Sequence, residues 1–154
     1  MDIRFRHAMI SSVFLAAFSA TSAQAFPVLI GSLGAVSRDH FQGGRFAWSA
    51  GLLFKFDEQI LLGAQSGQGT VGAPGSIPAL GSLMVRLPLG RIVLPVAVGD
   101  VGYAFSDNPG FLWRGGGGFD IRNGRRSSFL VLGGYEGHAS RSGWFGRFGL
   151  LLEI

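Results

Sequence analysis

Apolar and polar side chains alternate along this chain in successive segments of about ten residues, and the last segment reaches the final residue. Successive side chains of a β-strand point to opposite faces, so this alternation predicts strands with one apolar face. A strand that crosses a membrane needs about 9 to 11 residues. The pattern predicts eight strands, near residues 27–38, 45–56, 58–68, 77–88, 91–105, 111–122, 126–137 and 143–154.

Short and long connections alternate between the predicted strands. Tight hairpins are predicted at Asp57-Glu58, Leu89-Gly90 and Asn123-Gly124, and Asn-Gly is a strong hairpin signal because both residues tolerate positive φ. The other four connections are longer and rich in Gly or polar residues: 39–44, 69–76, 106–110 and 138–142. In bacterial outer-membrane barrels the short turns are periplasmic and the longer loops extracellular. We therefore expect the short turns and both termini at the periplasmic rim of an eight-stranded antiparallel up-and-down transmembrane β-barrel.

The charged side chains of the predicted strands share one face. In the last strand Phe148 and Leu152 belong to an uncharged face, whereas Arg147 and Glu153 belong to the other. The same parity in the other strands collects nine charged residues on one side: Lys55, Arg86, Asp100, Arg114, Asp120, Arg122, Glu136, Arg147 and Glu153. A nearly balanced set of this kind is expected to pair inside a narrow lumen, and a proton pathway is the less favoured interpretation because unpaired buried charge is costly.

The aromatic residues distinguish a membrane barrel from a soluble one. Five of them lie on the apolar face near the long-loop ends of their strands, as expected for a membrane interface: Trp48, Tyr103, Trp113, Tyr135 and Trp144. Phe54, Phe56, Phe119 and Phe129 mark the opposite rim. Two aromatic girdles around an uncharged band are typical of proteins in a bilayer. The alternative is a secreted or periplasmic lipocalin-like barrel that encloses a ligand.

The first 25 residues are predicted to be a secretory signal peptide. Arg4 and Arg6 precede a short apolar run over residues 8–20, and Ala23-Gln24-Ala25 places small residues at a cleavage site. The run is shorter than the roughly 20 apolar residues of a spanning helix. Two parts follow, a signal peptide over 1–25 and an outer-membrane barrel over 26–154.

Composition excludes several other classes. Charged residues make up 14% of the chain and mean hydropathy is +0.36, yet no second apolar run is long enough for a spanning helix. The 26 glycines and 14 phenylalanines fit short strands and interfacial aromatics better than helices, in which Gly is unfavourable. A net charge of +4 is too small to indicate nucleic-acid binding, and without cysteine no disulfide framework is possible.

These features together resemble the small eight-stranded outer-membrane β-barrel proteins of Gram-negative bacteria. The C-terminal segment GWFGRFGLLLEI is similar to the signal that the barrel-assembly machinery reads, although Ile154 stands where such proteins usually end in an aromatic residue. The resemblance implies an integral outer-membrane protein with a structural or surface-interaction role and no wide pore. It also implies contact with outer-membrane lipid, lipopolysaccharide and the assembly machinery.

Motifs for chemistry are scarce. The sequence contains no metal-binding cluster, phosphate-cradling loop or nucleophile elbow, so no cofactor or metal is expected. The segment WRGGGGFD lies within a predicted strand, where small residues allow close packing. Arg125-Arg126 is interpreted as part of a solvated periplasmic turn.

One alternative activity rests on two residues. His138-Ala139-Ser140 resembles the His-x-Ser of the outer-membrane lipid A deacylases, in which Ser140 would be the nucleophile and His138 its base. Arg141 stands where that family has Asn, and the next loop offers no acidic residue to orient the histidine. Continued strand parity also points both side chains inward, away from lipid. A deacylase-like hydrolase is therefore kept as the alternative to a non-enzymatic barrel.

Overall fold

The computed structural model of the protein describes residues 25–38, 44–71, 75–105, 109–139 and 141–154. Eight strands follow one another along these residues. They are β1 (Phe26–Arg38), β2 (Gly44–Lys55), β3 (Ile60–Gln68), β4 (Ile77–Arg86), β5 (Val93–Phe105), β6 (Gly110–Arg122), β7 (Ser127–His138) and β8 (Arg141–Glu153). No helix within the described residues has the length and apolar character needed to cross a membrane.

The strands form one closed antiparallel barrel in chain order. Each strand pairs with its predecessor and its successor, and β1 also pairs with β8. Leu29, for example, lies opposite Leu52 on one side and Leu152 on the other. No strand is left with an unpaired edge. The predicted fold class, an eight-stranded antiparallel up-and-down barrel, is confirmed.

Strand boundaries differ from the predicted ones by no more than two residues, and local hydrogen bonding explains the largest differences. Asp57 Oδ1 accepts hydrogen bonds from the backbone N–H groups of Gln59 and Ile60, both at 2.7 Å, and this side-chain turn delays β3 to Ile60. In the next short connection Pro88 has no N–H to donate to a ladder, and Leu89 N–H instead bonds to Leu87 O at 2.8 Å.

Inward and outward side chains alternate along each strand. In β8 the side chains of Phe148, Leu150 and Leu152 are 57%, 37% and 41% exposed, whereas those of Arg147 and Leu151 are buried. Inward apolar side chains form one cluster toward the short-turn end, made of Val28, Ile30, Leu53, Leu61, Met84, Val96, Leu130 and Leu151. A smaller cluster lies toward the long-loop end and contains Val36, Ala47, Val71 and Phe145. The lumen is therefore filled by side chains, as expected for a barrel of this size.

Single cysteine substitutions in β8 test this register, because the native sequence contains no cysteine. A lipid-soluble thiol reagent confined to the bilayer should label Cys at Phe148, Leu150 and Leu152 strongly, and Cys at Phe145 and Leu151 weakly. Gly149 is left out because a Cβ there would lie 2.8 Å from the Gly31 carbonyl oxygen. Uniform labelling, or protection of the first set from the lipid reagent, would contradict the proposed orientation of the strand.

Candidate functional site

A lower layer of charge lies inside the barrel near the short-turn rim. Arg86 Nε donates to Asp120 Oδ2 at 2.7 Å, and these side chains are only 4% and 0% exposed. Lys55 Nζ donates to Glu153 Oε2, also at 2.7 Å, and Arg86 Nη1 lies 4.0 Å from the other oxygen of Glu153. Both close pairs join strands separated by one intervening strand, so their side chains reach over that strand inside the lumen.

An upper layer of charge lies closer to the long-loop end. Arg114 Nε donates to Glu136 Oε2 at 2.8 Å, and Arg114 Nη1 lies 3.8 Å from Asp100 Oδ2. Arg114 lies directly opposite Asp100 in the β5–β6 ladder and directly opposite Glu136 in the β6–β7 ladder. Arg147 Nη1 donates to Ser49 Oγ at 3.0 Å. The Arg147 side chain lies against Gly34. A Cβ at Gly34 would lie 3.0 Å from Arg147 Cγ and 2.0 Å from the Gly146 carbonyl oxygen, so only glycine fits there.

The described ends of the connection between β3 and β4 lie at the mouth of the barrel. Val71 is buried against Val36, Ala47 and Phe145, and its backbone N–H donates to Glu136 Oε1. Thr70 Oγ1 and Ser76 Oγ are 2.8 Å apart and both are buried. We call Thr70, Val71 and Ser76 the plug. Sequence reasoning predicted only a long polar loop here, since a single valine among glycines carries no periodic signal.

Charges at the short-turn rim are more exposed than those of the two layers. Arg122 Nη2 donates to Glu58 Oε2 at 2.9 Å, and Lys55 Nζ lies 3.4 Å from Glu58 Oε1. Partial burial alone would raise the pKa of Glu58, but the nearby charges of Lys55 and Arg122 outweigh it and hold that pKa below its ordinary value. The carboxylate therefore stays ionised as the pH falls toward its usual titration range.

The five predicted interface aromatics lie on the outer surface toward the long-loop end. The ring centroids of Trp113 and Tyr135 are 6.1 Å apart, and those of Tyr135 and Trp144 are 5.1 Å apart. The Trp113 ring lies over Gly137, where a Cβ would come within 2.5 Å of Trp113 Nε1. Trp48 Nε1 donates to Gln68 Oε1 at 3.4 Å, and Tyr103 packs its ring 5.3 Å from that of Phe105.

The two residues of the alternative hydrolase are only partly described. His138, the last residue of β7, is 1% exposed and has inward parity with Glu136. Neither of its ring nitrogens has a hydrogen-bond partner among the described residues. Ser140 lies outside the described residues. The same part of the chain contains no group of three or more histidine, cysteine or acidic residues arranged to hold a metal ion.

Comparison with known proteins finds likeness in structure only. No family model matches the sequence, and no curated protein matches it. The N-terminal β-barrel domain of Pseudomonas aeruginosa OprF matches with a TM-score of 0.61 at 11% identity, over 85% of this chain and 100% of that domain. Neisserial surface protein A (NspA) matches with a TM-score of 0.62 at 7% identity, over 84% of this chain and 97% of that one.

A designed protein also shares the fold. A structure from the de novo design of transmembrane β-barrels matches with a TM-score of 0.56 at 10% identity, over 82% of this chain and 95% of that one. The predicted resemblance to small eight-stranded outer-membrane barrels is confirmed at the level of fold. At these identities the likeness carries no information on ligands or activity.

Stability measurements should separate the buried lower pair from the exposed rim pair. Asp120→Asn leaves the buried Arg86 without its close partner, and we expect a loss of about 3 to 5 kcal/mol in the free energy of unfolding. Arg122→Gln breaks the exposed pair with Glu58 and should cost less than about 1 kcal/mol. Urea unfolding of the protein in phosphatidylcholine vesicles measures both changes.

The double variant Arg86→Met with Asp120→Leu is the control for this comparison. It replaces both charges by apolar side chains, so its stability should lie near that of the native chain, well above that of Asp120→Asn. Equal losses in the single and double variants would mean that packing at these positions, and not uncompensated charge, governs stability.

Proposed function

We propose that this chain is an integral outer-membrane protein of a Gram-negative bacterium, with a structural or surface-interaction role and no wide pore. In this proposal the signal peptide is cleaved after Ala25, and Phe26 becomes the first residue of the mature barrel. The long-loop end faces the cell exterior and the short-turn end faces the periplasm. Lipopolysaccharide and outer-membrane lipid surround the barrel, and the barrel-assembly machinery inserts it.

The observation that carries the proposal is the chemistry of the outer surface. Among strand residues with described side chains, no outward position holds Asp, Glu, Lys or Arg. Large apolar side chains stand exposed there instead, including Leu29, Leu33, Val101, Val131 and Phe148. Water would disfavour an apolar surface that continues around the whole barrel, whereas a bilayer stabilises it. The soluble, ligand-enclosing barrel is disfavoured on the same ground.

The contents of the lumen support the absence of a wide pore. Two layers of paired charge, two apolar clusters and the plug occupy the interior from one rim toward the other. A barrel of eight strands is just wide enough for its own side chains. A structural or surface-interaction role then depends on the outer surface and the loops, and the short loops favour a small contact surface.

Planar bilayer recordings test the filled lumen. Purified protein inserted into phosphatidylcholine bilayers should give no large steady conductance, because an eight-stranded barrel is just wide enough for its own side chains. Insertion is verified in the same bilayers by protease protection of the strands. Steady single-channel currents of porin size from inserted protein would contradict the proposal.

The alternative hydrolase predicts a different result for Ser140. We expect Ser140→Ala to leave the acylation pattern of lipid A unchanged, since the buried His138 faces the lumen and has no carboxylate hydrogen-bonded to it among the described residues. Mass spectra of lipid A from cells with native protein, with the variant and without the protein provide the comparison. Loss of a deacylated species both in the variant, with its barrel still assembled, and in the cells without the protein would favour the hydrolase.

A further inference from the structure

A polar cavity of about 330 Å³ lies at the short-turn end of the barrel. It lies between the β2–β3 turn, the β6–β7 turn and the adjoining ends of β7 and β8. Its inner part is formed by the buried side chains of Ser128 and Leu151. Basic residues dominate the rest of the lining, which contains Lys55, Arg86, Arg122, Arg125 and Arg126 but only Glu58 and Glu153 as acids.

Two basic side chains remain once the ion pairs around the cavity are counted. Asp120 neutralises Arg86, Glu153 neutralises Lys55, and Glu58 neutralises Arg122. Each acid is therefore matched with one base. The excess positive charge belongs to the β6–β7 turn.

Arg125 and Arg126 supply this excess. Both side chains are exposed, and neither forms an ion pair with any residue that the structure describes. Ser127 and Ser128 follow them along the lining and add hydroxyl groups that can donate hydrogen bonds. Two arginines and two serines of the β6–β7 hairpin thus line one cavity that is open to solvent.

We propose that this cavity binds an anion that carries a phosphate group. A guanidinium group presents parallel N–H donors that match two phosphate oxygens, and two such groups balance the one to two negative charges of a phosphate ester. The volume exceeds that of one phosphate, so the cavity also has room for a short polar substituent such as glycerol. This inference goes beyond the proposed function, which assigns no ligand to the barrel.

Two sources can supply such a group to this rim. One is the headgroup of an anionic phospholipid in the adjacent leaflet, since basic pockets at a membrane face attract anionic headgroups. The other is a free phosphate or phosphate ester in solution. Recognition has the same chemistry in both cases, and the test separates them.

The test follows the backbone amide signals of Gly124, Ser127 and Ser128 by NMR. Protein in an uncharged detergent is titrated with inorganic phosphate and with glycerol phosphate. In parallel, protein in phosphatidylcholine nanodiscs is compared with protein in nanodiscs that also contain phosphatidylglycerol. We expect saturable shifts of these amides that weaken as sodium chloride is added, because the interaction is ionic.

Three variants locate the site. Arg125→Gln and Arg126→Gln should each weaken binding by about tenfold, because each removes a charged hydrogen-bond donor. Arg91→Gln is the matched control, since it removes the same charge from another short turn outside the cavity lining. It should leave the affinity within about twofold of the native value. Unchanged strand amides verify folding in every variant.

The binding results distinguish the two sources of phosphate. Saturation only in nanodiscs with phosphatidylglycerol supports the site with a lipid headgroup as its ligand, and saturation by the soluble phosphates supports it with a free anion. Failure of every phosphate to shift these amides would overturn the proposal. Equal weakening in Arg91→Gln and the two hairpin variants would also overturn it, because the effect would then come from the general positive charge of the rim.

Discussion

Pairing between the first and last strands is the contact on which the rest of the structure depends. Backbone N–H and C=O groups in hydrocarbon have no water to bond with, so every strand must find two partners. The ladder from Val28 opposite Glu153 to Arg38 opposite Gly143 supplies the last of these partnerships. Closure also forces every side chain to one of two environments, the outer surface or the lumen.

The division into two environments explains where the charges lie. Outward strand positions carry large apolar side chains, whereas the charged strand residues with described side chains lie inward. Several of those charges pair, and the pairs Arg86–Asp120 and Arg114–Glu136 are nearly inaccessible to solvent. The net contribution of such pairs to stability is small, because desolvation offsets much of their attraction. Arg147 differs from the predicted pairing, since among the described residues it bonds to the Ser49 hydroxyl and forms no ion pair. At the short-turn rim, Arg125 and Arg126 lie beside a cavity and have no ion pair with an acid among the described residues.

The number of strands, their order and the face to which each side chain points could be predicted from the sequence. All three follow from the alternation of apolar and polar residues along each strand and from the residues of the turns. The opposition of Arg114 to Asp100 and Glu136 also follows once neighbouring strands are in register.

Other contacts could not be predicted, because they depend on distances across the lumen that no local sequence pattern encodes. The bond from Val71 to Glu136 joins residues 65 positions apart, and Lys55 reaches Glu153 over β1. The cavity beside Arg125 and Arg126 likewise forms only when two hairpins and the end of β8 meet, which is why the sequence suggested a solvated turn alone.

The central claim is that the outer surface of this barrel is a lipid-facing surface. Carbonate extraction of membranes from a Gram-negative host that expresses the full chain tests it most directly. We expect the mature protein, beginning at Phe26, to stay in the carbonate-resistant outer-membrane fraction. Recovery of folded protein in the soluble periplasmic fraction would contradict it.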